Sequence, residues 1–338
     1  MDGLLKMDNE NKAKEIDVKK ACTFTGHRPE RLSLPTRKVM SWLSEQVEKA
    51  VEDGYRRLFM YGAIFGDILG SPYEFEEIKY DDPATIELFH EDCHITDDSV
   101  LSFAVADWLL HDIWDVYYDD EKLREKLAER FVKWTRWSSI REMAFGNRYI
   151  QWFYKAELIH VYDPINSCGN GSAMRVNPIG WAFNTIEETM RFAKLSADVT
   201  HNHPEGEKGA MCIAAAIWLA RNGMSKDEIR KYLTRAFGYQ MLNRTVSEIR
   251  KDCKWSCLCK DTVPMAVVAF LESEDYESAV RNAISYGCDV DTVGCMSGAI
   301  AEAFYQRNIP EGIVDFCVKR IPVKAIDLCR EFMDILQE

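Results

Sequence analysis

Two short runs of hard oxygen donors stand out in this 338-residue chain. One is Thr96-Asp97-Asp98, directly before the helix-like run Ser99–Leu110. The other is Asp289-Val290-Asp291-Thr292, directly before the small-residue run Val293–Tyr305. A carboxylate at a helix N-terminus caps free N–H groups and gains about 0.3–1 kcal/mol from the helix dipole, which would explain either run alone. Together they ask for more. Each brings two carboxylates and a hydroxyl, and each abuts a helix too apolar to lie on a surface. Four carboxylates gathered in a buried cleft repel strongly unless counter-charge is supplied. Two divalent cations would balance the four charges, and carboxylates with threonine hydroxyls are the hard ligands that Mg²⁺ prefers.

Three further segments carry polar groups between apolar stretches. In Gly62–Glu74 the glycines recur every four residues, which on a helix permits close approach of a second helix; Glu74 follows the break at Pro72. Ser167-Cys168-Gly169-Asn170-Gly171-Ser172 is a Gly/Asn/Ser loop ahead of a helical stretch, and such loops offer backbone N–H groups to an anion such as a pyrophosphate. Thr200-His201-Asn202-His203-Pro204 precedes another small-residue helix. Its two histidines lack the nearby Cys or third His of a zinc site, so polar contact to a ligand or a satisfied loop histidine is expected. Cys253, Cys257 and Cys259 match no common zinc spacing and no partner pair follows them.

The elements that must position these groups read as helices. Leu123, Leu127, Phe131 and Trp134 form one stripe, and Ile186, Met190, Ala193 and Ala197 another. Ser225 with Glu228 predicts a capping box before Ile229, and Tyr276, Ala279 and Ala283 continue the pattern. Alternating apolar/polar runs are almost absent after residue 60, so the fold class expected is mainly α: an all-helical domain over 59–338. Ahead of it, a β-like run at Lys20–Thr25, a helix opened by Pro35 and a second run at Tyr55–Met60 predict a short βαβ-like appendage over 20–58. Residues 1–19 are expected to form a disordered tail.

Composition narrows the function. The chain has 42 basic against 55 acidic side chains, a net charge of −13, which argues against nucleic-acid binding. Its longest apolar stretches fall short of the roughly 18–20 residues that span a bilayer, so no membrane association is expected. The N-terminal twenty residues lack the apolar core of a signal peptide. Eleven cysteines scattered through apolar segments fit reduced thiols, and a cytoplasmic location is expected.

Taken in order, YGAIFGDILGSPYEF, ITDDSVLSFAVADWLL, SCGNGSAMRVNPIGW, SADVTHNHPEGEKGA and YGCDVDTVGCMSGAIAEAFY resemble the ADP-ribosylglycohydrolase family, the relatives of dinitrogenase-reductase-activating glycohydrolase, over about residues 60–330. The resemblance implies an all-α fold with two divalent ions, Mg²⁺ or Mn²⁺, at the floor of an ADP-ribose cleft. By position it implies metal ligation by Thr96, Asp97, Asp98, Asp289, Asp291 and Thr292. It makes Glu74 the family's mobile acidic residue, and Glu74 or Asp97 the group that moves protons. Ser167, Gly169, Asn170 and Gly171 would line the phosphate and ribose site, with His201 beside them. The family usually carries Gly-Gly before its last acidic pair and a small polar residue between the two acids; here Gly287-Cys288 and Val290 stand instead, and no oxygen ligand is lost. The implied reaction is hydrolysis of the bond between ADP-ribose and a protein side chain or other acceptor. A non-catalytic ADP-ribose binder, a structural relative and a hydrolase of a small ADP-ribosyl metabolite are the alternatives; the oligomeric state is open. Residues 20–58 resemble the truncated start of a Rossmann-like family related to the YpsA- and DprA-like proteins.

Overall fold

Tyr61–Gly70 forms a helix, α1, in which all ten residues are buried. Such a helix has no solvent face and must lie at the centre of the fold. Its glycines decide how. A methyl built on Gly70 would come within 2.5 Å of the Asp291 α-carbon, and one on Gly66 would overlap the Gly294 carbonyl. One on Gly62 would meet the Gly298 carbonyl at 2.6 Å. The order of contacts reverses along the two segments, so α1 runs antiparallel to the helix that holds Asp291, Gly294 and Gly298, backbone against backbone. The four-residue glycine spacing read from the sequence performs the packing expected of it.

The computed structural model describes residues 60–138, 145–306 and 308–336. The appendage expected over 20–58 and the tail 1–19 lie outside the described residues. After α1 the helices are α2 Asp97–His111, α3 Asp120–Trp137, α4 Asn147–Ile159, α5 Gly171–Met174, α6 Asn177–Ala182, α7 Ile186–Asp198 and α8 Pro204–Arg221. Then come α9 Lys226–Phe237, α10 Val246–Asp252, α11 Cys259–Leu271, α12 Tyr276–Ile284, α13 Val290–Phe304, α14 Glu311–Val318 and α15 Val323–Ile335. Short 3₁₀ turns join some of them. Among the described residues there is no strand, only a single antiparallel bridge between Gly169 and Leu258. The mainly α expectation holds.

Helix ends follow local chemistry. The capping box at Ser225 and Glu228 forms as expected, and Gly238 closes α9 in the left-handed conformation. Thr185 caps α7 and Asp119 caps α3 through side-chain oxygens. The stripe Leu123, Leu127, Phe131 and Trp134 is buried on one face of α3. Around α1 and α13 pack α11, α12 and α8, whose apolar residues are likewise buried.

Candidate metal centre

The α1–α13 packing sets the C-terminal end of α1 beside the N-terminal end of α13. Asp67 is in the last turns of α1, and Glu74 follows the 3₁₀ turn Ser71–Tyr73 that continues it. Asp289 is the residue before α13 and Asp291 is in its first turn. The N-terminus of α2, with Thr96, Asp97 and Asp98, approaches the same point. Thr292 Oγ1 donates to Asp98 Oδ2 at 3.2 Å and so joins α13 to α2.

Carboxylate oxygens of Asp67, Asp98 and Asp291 lie within 4.8 Å of one another, and so do those of Glu74, Asp289 and Asp291. Asp291 belongs to both groups. Asp97 stands outside both and is partly exposed, whereas the other five acids are buried. Among the described residues, no lysine, arginine or histidine forms an ion pair with any of the six.

The electrostatics follow from that crowding. Burial pushes the Glu74 carboxyl up to about 8, with the charges of Asp289, Asp97 and Asp67 adding to it. Asp97 is likewise pushed up to about 8 by burial and by Asp67 and Asp289. Asp98 and Asp291 are held well above the usual carboxylate range by burial and by their acidic neighbours. Asp67 and Asp289 are raised by burial against the pull of their hydrogen bonds.

Asp107, on the same helix as Asp97 and Asp98, shows what a structural buried acid looks like. It accepts from Arg130 Nη1 at 2.7 Å, Lys133 Nζ at 2.7 Å and Trp134 Nε1 at 2.8 Å. Burial pushes it up, but the Lys133 and Trp134 bonds and the Arg130 charge outweigh that and hold it below its ordinary value.

Capping alone does not account for the acids. Thr96, not an aspartate, caps α2, its Oγ1 accepting from Asp98 N–H at 3.3 Å. Asp289 makes no side-chain cap for α13; its Oδ2 instead accepts from Asn170 Nδ2 at 2.7 Å. Asp98 Oδ1 is buried with no hydrogen-bond partner. An orphaned buried carboxylate oxygen, two groups of three converging carboxylates and the absence of any paired side-chain cation among the described residues fit a site for hard divalent cations.

Asp67 is the residue that sequence reasoning missed. Its Oδ1 accepts from Thr96 Oγ1 at 2.7 Å and its Oδ2 from the N–H groups of Thr96 at 3.0 Å and Ser99 at 3.2 Å; Ser99 Oγ also donates to it. It satisfies orphan donors at the start of α2 and fixes Thr96 and Ser99, on either side of Asp97 and Asp98, in place. The available signal was a lone carboxylate on a helix whose other positions are apolar or glycine.

The Gly/Asn loop borders the acids on one side. Gly169 N–H donates to Ser167 Oγ at 3.1 Å, and Asn170 N–H to the Cys257 carbonyl at 2.8 Å. His201 is buried with its Nε2 3.1 Å from where a methyl on Gly171 would sit. The second histidine of the pair, His203, caps α8 through Nδ1, so the two histidines do not act together. Trp255 Nε1 donates to the Glu74 carbonyl at 3.3 Å. Cys288 and Val290 are both buried, and the Val290 carbonyl faces Gly70.

The family model described as ADP-ribosylglycohydrolase matches residues 53–335. The chain belongs to the ADP-ribosylglycohydrolase family. ADP-ribosylhydrolase ARH3 of Mus musculus is 25% identical, the alignment covering 81% of this chain and 90% of that protein. ARH3 of Homo sapiens is 24% identical over 76% of this chain and 87% of its own. ADP-ribosylarginine hydrolase Tri1 of Pseudomonas putida is 27% identical, over 43% of this chain and 40% of its own. Among solved structures, an ADP-ribosylglycohydrolase-related protein complex shares the fold, with a TM-score of 0.61 and 20% identity, covering 83% of this chain and 97% of that one. This ADP-ribosylglycohydrolase chain is thus related to hydrolases that act on ADP-ribosyl substrates. Among its described residues, no helix is long and apolar enough to cross a membrane.

Proposed function

We propose that this chain hydrolyses the glycosidic bond between ADP-ribose and an acceptor, with two divalent cations, Mg²⁺ or Mn²⁺, held by the acidic centre. The observation that carries the reading is Asp291 shared between two groups of three carboxylate oxygens, a donor set suited to a pair of neighbouring hard cations. Thr96, Asp97, Asp98, Asp289, Asp291 and Thr292 are the proposed ligands, and the geometry argues for adding Asp67 and Glu74. Such cations, when bound, neutralise the clustered charge and supply Lewis acidity at the ribose.

The remaining work falls to the chain's own groups. Ser167, Gly169, Asn170 and Gly171 line the proposed pyrophosphate and ribose site, with His201 donating from its buried edge. Asn170 also bonds Asp289, so the loop that holds the ligand is fixed to the centre that faces its anomeric carbon. In the reaction, a water oxygen bonds the anomeric carbon, the bond to the acceptor breaks, and the acceptor leaves with a proton. Glu74 and Asp97 sit at the edge of the acidic group and are the proposed carriers of the proton.

The test is release of free ADP-ribose from serine- and arginine-ADP-ribosylated peptides and from a small ADP-ribosyl compound, in Mg²⁺ and then in EDTA. Release that EDTA abolishes supports the reading, and the preferred substrate names the linkage. Tight ADP-ribose binding without release from any of them would favour a non-catalytic binder.

A further inference from the structure

Arg175 is a fully buried arginine that makes no ion pair among the described residues. Its Nη2 donates to the Ser196 carbonyl at 2.9 Å and to Thr200 Oγ1 at 3.0 Å, and its guanidinium carbon lies 4.3 Å from the centre of the Phe131 ring. Thr200 Oγ1 is in turn 2.7 Å from His201 Nδ1. All three residues are buried, so this is a continuous internal chain that ends on the imidazole.

Donor and acceptor arithmetic fixes the direction of that chain. A guanidinium can only donate, so Thr200 Oγ1 must accept from Arg175. The hydroxyl has one proton to give, and His201 Nδ1 is the only remaining partner on it among the described residues. A donating Nδ1–H would leave that hydroxyl proton buried without an acceptor, a cost a buried polar group seldom bears. Nδ1 is therefore the acceptor and the ring's single proton sits on Nε2. Burial, with the charges of Arg175 and Arg148, holds the ring well below its usual value, which keeps it neutral. Nε2 makes no hydrogen bond to protein among the described residues and lies against Gly169 and Gly171, where the missing side chains leave room.

We propose that Arg175 and Thr200 are positioning residues that hold His201 in the Nε2–H tautomer, presenting one fixed donor over Gly169–Gly171 to an anionic or hydroxyl oxygen of the ligand. The assignment of ADP-ribose as that ligand rests on the function proposed above; the tautomer does not. The relay explains why a charged arginine is kept in an apolar interior 25 residues away in sequence from the hydroxyl it touches. It also gives the site a hydrogen bond whose polarity does not change with pH near neutrality.

The experiment is ¹⁵N NMR of histidine-labelled full-length protein, with His201 identified by its loss in His201→Gln, combined with ADP-ribose titration. The wild type is expected to show Nε2 protonated and Nδ1 bare. Thr200→Val, which removes the hydroxyl at nearly constant shape, should scramble the tautomers and weaken ADP-ribose binding roughly tenfold, the scale of one hydrogen bond. Thr200→Ser should restore both. Nδ1–H in the wild type would overturn the proposal, and that readout needs no variant to fold. Unchanged tautomer and affinity in a folded Thr200→Val would overturn it too. An Nε2–H ring in a wild type that fails to bind ADP-ribose would support the relay while defeating the substrate assignment.

Discussion

Asn170 donates its side-chain amide to Asp289 Oδ2 at 2.7 Å, and this bond ties the Gly/Asn loop to the acidic centre across 119 residues of sequence. It turns two separate sequence features into one site. Asp67 and Asp98 are held by hydroxyls and N–H groups of α2 and α13, whereas Asp289 is held by the side-chain amide of the loop.

Asn170→Ala should therefore act on both halves. Losing a side chain that orients a ligating group typically costs about 10–100-fold in metal affinity or activity. Calorimetric Mn²⁺ titration and steady-state kinetics on the same preparation check this. Metal affinity equal to wild type would show that the bond positions the loop alone.

The glycine contacts predict a steric effect with a built-in control. Gly66→Ala drives a methyl into the Gly294 carbonyl and should destabilise by about 3 kcal/mol, the upper end for overpacking, because backbone cannot step aside as a side chain does. Gly146→Ala, with nothing among the described residues within 4 Å of the added carbon, should leave the melting temperature unchanged. Denaturant unfolding of both variants compares them directly.

How much of this was legible in the sequence depends on whether a group's partners lie nearby in the chain. The two acidic runs could be read because each doubles its carboxylates ahead of a helix too apolar for a surface. Helix stripes and the Ser225–Glu228 cap could be read because they are set within a few residues. Asp67 could not be told from Asp107: each is an isolated acid interrupting an apolar stretch of its helix. One is answered by Arg130, Lys133 and Trp134 from α3, the other by hydroxyls and N–H groups of the α2 start. Those partners are tertiary facts. The Arg175–Thr200–His201 chain was hidden for the same reason, since nothing in GNGSAMR says where the guanidinium ends.

Asp107→Ala should cost stability without touching chemistry. Removing the carboxylate leaves Trp134 Nε1 buried without an acceptor, while Arg130 keeps Asp112 and the half-exposed Lys133 returns to solvent, so the expected loss is about 1–3 kcal/mol. Thermal unfolding should show it, while turnover per folded molecule stays at the wild-type value well below the melting temperature.

The raised carboxyls make a pH prediction of definite sign. Glu74 and Asp97 rise from ordinary values of 4.5 and 3.8 to about 8 in the folded chain, so the native state binds more protons than the unfolded state between those limits. Stability without added metal then falls as pH rises from about 4 through about 8. Glu74→Gln should flatten part of that slope, and divalent cations should oppose it because they bind the deprotonated acids. Melting curves across this range, in chelator and then in Mg²⁺, test the sign. A chelated wild type and Glu74→Gln with identical slopes would contradict it.

The central claim is that the carboxylates around Asp291 hold two divalent cations. Anomalous diffraction at the manganese edge, from crystals grown in Mn²⁺, tests it most directly. The account predicts two peaks, one among Asp67, Asp98 and Asp291 and one among Glu74, Asp289 and Asp291, both lost in Asp291→Asn. Manganese bound elsewhere, or no peak at either group, would contradict it.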